Sequence, residues 1–82
     1  MKREQIIAEL ERLAEILGVE IRYEKMGVVS GGLCKINDAL VLLVNKNLSP
    51  QSKIELIASE LKNLDWSKHF VKPEVREILE RA

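Results

Sequence analysis

LCKINDALVLLV, Leu33 to Val44, is the stretch on which the fold turns. Leu33 to Ile36 reads as a short strand. Asn37 and Asp38 both tolerate positive φ and make a two-residue turn. Ala39 to Val44 returns as a second strand. Its apolar residues are continuous, so both faces are expected to be covered, or the strand to lie centrally against a partner. The stretch is therefore an antiparallel hairpin.

Upstream, Lys25 to Gly32 holds three glycines and a serine and reads as a loop. Before it, Val19, Ile21 and Tyr23 alternate with Glu20, Arg22 and Glu24, which predicts a half-buried strand with one wet face. Lys2 to Leu17 has the helical period. Ile6, Leu10, Leu13, Ala14 and Leu17 form one stripe, widened by Ile7 and Ile16, and Gly18 stands where a left-handed cap is favoured. Downstream, Ser49-Pro50 is a strong helix start, with serine as cap and proline in the first turn. That helix is expected to reach about Leu64. A short element around Trp66 to Val71 follows, and Pro73 opens a last helix with Val75, Ile78, Leu79 and Ala82 on its apolar side.

The order predicts an α+β fold in a single domain, residues 1–82. An N-terminal helix precedes a small three-stranded, mainly antiparallel sheet, and two or three helices close the chain. A chain of this length buries only about 60–65% of its unfolded surface, so an oligomer interface would help it.

Thirteen Lys and Arg balance thirteen Asp and Glu. Zero net charge leaves no electrostatic footprint for nucleic acid or an anionic membrane. The longest apolar run, Ala39 to Val44, is far short of the roughly 20 residues a membrane span needs. MKREQIIAEL mixes charge with apolar residues, unlike a signal peptide. The single cysteine forms no intrachain disulfide and fits a reducing, cytoplasmic setting.

In IELIASELKNL, Ile54 to Leu64, the residues Ile54, Ile57, Ala58, Leu61 and Leu64 share a stripe. Ser59 and Asn63, four apart, share another face, with Glu60 beside them. The chain from Ile21 onward resembles the ImmA/IrrE type of zinc metallopeptidase-like domain. The residues that carry the likeness are Arg22-Tyr23, Leu42-Leu43-Val44-Asn45, Leu48-Ser49-Pro50 and Ala58-Ser59-Glu60-Leu61-Lys62-Asn63. The resemblance implies a minimal zincin-like scaffold in which the ligand histidines of a His-Glu-x-x-His helix fall at Ser59 and Asn63. Serine and asparagine are poor zinc ligands, and a base at Glu60 without a metal-bound water has nothing to activate. The implied scaffold is degenerate, with no cofactor expected. A second resemblance is to short uncharacterised bacterial proteins carrying Gly-Gly-x-Cys, Asn-Lys and Pro-x-Val-Arg-Glu, here Gly31 to Cys34, Asn45-Lys46 and Pro73 to Glu77. It implies no known activity.

Other candidates weigh against plainer readings. Glu60 is the sharpest catalytic candidate, but a helix-surface glutamate explains it. Cys34 and His69 could pair as thiolate and imidazole, yet nothing in the sequence joins them, and a small buried cysteine is the simpler reading. Gly31-Gly32 lacks the lysine and helix start of a phosphate loop and reads as a turn or bulge. Trp66, His69 and Phe70 fill a small core in the first reading and anchor an interface in the second. Lysines 46, 53, 62, 68 and 72 are interleaved with acids and form a mixed solvated face.

The expectation is a non-catalytic protein acting through protein–protein association, with a partner or as a homodimer. An edge strand or the aromatic turn is the place to seek that contact. The alternative is an enzyme, or a metal- or small-ligand-binding protein, with an unorthodox site around Glu60, Cys34 and His69.

Overall fold

The computed structural model describes residues 1–82. In chain order it contains α1 (Arg3–Ile16), β1 (Val19–Glu24), β2 (Gly31–Ile36), β3 (Ala39–Asn45), α2 (Pro50–Leu61), a 3-10 turn (Trp66–Lys68) and α3 (Pro73–Arg81). The class is α+β, as expected.

The hairpin forms as its turn residues dictate. Asn37 and Asp38 have φ of 50° and 67°, the left-handed pair of a type I′ turn, whose twist matches the flanking strands. β2 and β3 run antiparallel, with Leu33 opposite Leu42. The other side of β3 holds β1 in parallel, with Ile21 opposite Leu42. The strand order is thus β1-β3-β2. The sheet is mixed, with one parallel and one antiparallel pairing, where a mainly antiparallel sheet was expected. The alternation in β1 reports a dry face but carries no direction. Central placement explains the unbroken apolar run of β3.

Lys25 to Ser30 carries the chain across the end of β3 to the far edge of the sheet. Asn45, the buried polar residue of β3 at 4% exposure, fastens this crossing. Its Nδ2 donates to the carbonyls of Gly27 at 3.0 Å and Val29 at 2.8 Å. Its Oδ1 accepts from the Asn47 amide at 3.0 Å. Both ends of the side-chain amide are satisfied, which is what makes its burial tolerable. Gly31 follows with φ +136°, and a Cβ there would lie 2.0 Å from the Leu43 carbonyl oxygen. Only glycine fits that approach.

The helices cover one face of the sheet. On α1, Ile6, Leu10, Leu13 and Ala14 are buried, whereas Ile16 is exposed and does not widen the stripe. Gly18, at φ +80°, ends the helix as a left-handed residue. Ser49 Oγ accepts from the Ser52 amide at 3.2 Å and caps α2. Ile54, Ile57, Ala58 and Leu61 bury against Leu42 and Val44 of β3. α2 stops at Leu61, so Asn63 and Leu64 lie just beyond its last turn. α3 docks on α1 and α2 through Val75 and Leu79.

No helix covers the other sheet face. Val41 is nevertheless buried there, because Glu20 on β1 and Cys34 on β2 flank it in register.

Candidate association surface

The second half of α2 and the turn that follows it carry the residues that the zincin-type resemblance singles out. Ser59 Oγ donates to the Leu56 carbonyl at 2.9 Å. Asn63 Nδ2 donates to the Ser59 carbonyl at 3.2 Å. Both polar side chains are thus engaged by the α2 backbone, Ser59 from within the helix and Asn63 from just beyond its end, a local bond typical of these residue types. Glu60 is half-buried beside them. No group of three or more His, Cys, Asp or Glu side chains is arranged to hold a metal ion.

Cys34 is half-buried and faces the open side of the sheet, since its neighbour Leu33 packs into the core. Glu60 belongs to α2, on the opposite side. His69 follows the 3-10 turn, where its amide donates to the Trp66 carbonyl at 3.1 Å. Glu60, Cys34 and His69 therefore do not assemble one site.

Cys34 instead shares the open face with an ion pair. Arg22 Nε donates to Glu20 Oε2 at 2.7 Å. That bond holds the Glu20 carboxyl below its ordinary range and keeps the guanidinium still more firmly protonated.

The aromatic segment divides. Trp66 packs against the core, with the Arg76 guanidinium 5.4 Å from its ring centroid. Phe70 is 74% exposed. The core reading holds for Trp66 and fails for Phe70, whose position ahead of buried Val71 turns it to solvent.

The sheet edge at β2 is the most unusual surface. The Asn45 amide donates to the Ser30 carbonyl at 2.8 Å, which sets the phase of the antiparallel ladder. Bonded pairs then alternate, so Gly32, Cys34 and Ile36 spend their backbone groups on β3. Leu33 and Lys35 turn N–H and C=O outward. No backbone hydrogen bond outside the regular ladders engages those groups. Natural edges are usually blunted by proline, charge or a cover. Gly31–Ile36 has no proline and one charge, Lys35.

Apolar side chains flank both ends of this edge. Val28 is 103% exposed, Val29 54% and Ile36 40%. Beside the start of β2 runs a shallow groove lined by Ser30, Leu48, Ser52, Glu55, Leu56 and Ser59. Across the sheet, the free edge of β1 is different. Glu11, Glu15 and Glu20 line the depression next to it.

No protein-family model matches the chain, and neither a curated protein nor a solved structure does. No helix is long and apolar enough to cross a membrane. The sequence pointed to an edge strand in general. That β1 and β2 are the two edges and β3 the centre follows from the β1-β3-β2 order, which no local pattern encodes.

Proposed function

We propose that the chain is a non-catalytic α+β domain that works by protein association, on a scaffold similar to a zinc metallopeptidase-like domain without its ligand histidines. One observation carries the association reading. The β2 edge presents unpaired backbone donors and acceptors between exposed apolar residues. An added extended strand satisfies such groups without further change in the fold.

The scaffold reading is supported by the placement of the motif residues. Arg22-Tyr23 lies near the end of β1, just before Glu24, Asn45 ends β3, Ser49-Pro50 starts α2, and Ser59 lies on the same helix. Balanced charge supports a protein partner over nucleic acid.

The test is a tagged pull-down from source-cell lysate, with and without nuclease, read by mass spectrometry for wild type and Lys35→Pro. A specific, nuclease-resistant partner that the variant loses is the expected result. Peptidase turnover by purified protein, abolished by Glu60→Ala, would overturn the non-catalytic reading.

A further inference from the structure

We propose that the β2 edge is occupied by a second copy of this chain, the two β2 strands pairing antiparallel about a twofold axis at Leu33. The inference rests on the association reading and names its partner. The pairing joins two three-stranded sheets into one of six strands.

The chemistry of the edge selects this occupant. Outward backbone groups lie at odd-numbered positions, so only odd residues can bond across the axis. With Leu33 opposite Leu33 of the other copy, Lys35 falls opposite Gly31 and Gly32 opposite Cys34. The one charge of the strand then meets a glycine and not a second lysine, so no like charges face each other. The ends also match. Antiparallel pairing brings the start of one strand to the finish of the other, so exposed Val28 and Val29 come beside the exposed Ile36 hairpin end of the second copy. Zero net charge leaves no overall repulsion between copies. The β1 edge lacks this match, because a twofold there would set Glu11, Glu15 and Glu20 near their counterparts.

Two variants test the register. Lys35→Pro removes an outward N–H and leaves the bonds to β3 intact, since Lys35 and Leu40 form a non-bonded pair of the ladder. Gly32→Cys places a thiol where a Cβ meets nothing within 4 Å. In the proposed register that thiol faces Cys34 of the other copy in a non-bonded pair, with Cα atoms about 4.5 Å apart, within disulfide reach.

Sedimentation velocity over a concentration series should show wild type approaching twice the 9.4 kDa of the chain. Lys35→Pro, checked as folded by circular dichroism, should weaken the dimer by about tenfold or more. Gly32→Cys under oxidised glutathione should give a covalent dimer whose cross-linked peptides join position 32 to Cys34, and Cys34→Ser in that background should abolish that link.

A dimer that ignores Lys35→Pro and yields no cross-link overturns this surface and leaves the association reading standing. Wild type that stays monomeric throughout, with no cross-link, overturns the second copy as occupant. The pull-down then decides the wider reading independently.

Discussion

The side-chain amide of Asn45 donates to the carbonyl of Val29 at 2.8 Å, sixteen residues away in sequence. With its partner bond to Gly27, it ties the crossing loop to the end of the central strand. The β2 edge begins immediately after that loop, so one buried amide positions the start of the candidate surface.

Asn45→Ala should therefore destabilise by about 1–3 kcal/mol, because three part-buried hydrogen bonds, to the Gly27 and Val29 carbonyls and from the Asn47 amide, are lost. In a domain of this size each kcal/mol is about 4–8 °C in Tm. Asn45→Asp sets a carboxylate against two carbonyls, which raises its folded pKa. The folded state then holds a proton that the unfolded state has released. The deficit of this variant relative to wild type should be small in acid and grow as pH rises past the usual carboxylate range. Thermal melts of both proteins at matched pH values check the sign. An equal deficit at every pH would sink the argument.

The adjacent glycines should behave oppositely. Gly31→Ala meets a backbone oxygen at 2.0 Å and an unfavourable φ, so about 3 kcal/mol or more should be lost. Gly32→Ala meets open space at an ordinary φ, and its stability should stay within about 1 kcal/mol of wild type. Urea denaturation of the two variants reads both values. Similar losses at the two positions would contradict the assigned geometry.

Trp66 and Phe70, four residues apart, should separate in the same way. Trp66→Ala removes a ring packed on the core and its contact with Arg76, at a cost of about 2–3 kcal/mol. Phe70→Ala, at 74% exposure, should change stability by no more than about 0.5 kcal/mol. Chemical denaturation of each checks the pair.

These contrasts show what a local pattern can carry. The hairpin was legible because Asn37-Asp38 specifies its own backbone conformation, and the start of α2 because Ser49-Pro50 does the same. The buried stripes of α1 and α2 followed from their period. Direction was not legible, since alternation in Val19–Glu24 is the same for parallel and antiparallel neighbours. The reason for glycine at Gly31 is a contact with the Leu43 carbonyl, which is tertiary. The same holds for Ile16 and Phe70, both apolar and both turned outward. For the candidate surface, residue type pointed to the rings at Trp66 to Phe70, whereas backbone pairing points to Leu33 and Lys35. Unpaired amides have no signature in the side-chain alphabet.

Tyr23, the single tyrosine, offers an unambiguous alkaline probe of the helix–sheet contact. Its hydroxyl donates to Glu11 Oε2 on α1, and Lys53 of α2 lies 5.7 Å from its ring centroid. Burial raises the phenol above its usual 10.0, and the hydrogen bond and charge of Glu11 raise it further. A raised folded pKa means that the folded state keeps a proton the unfolded chain releases. The contribution to stability is therefore whole below pH 10.0, and it is lost as pH climbs from there toward the folded value. The phenolate ultraviolet band should appear only above the usual midpoint, in step with loss of the far-ultraviolet dichroism. Glu11→Gln should move it downward, while burial still holds it above normal. Ionisation at the usual midpoint in a chain with native dichroism would show that Tyr23 is not seated against α1.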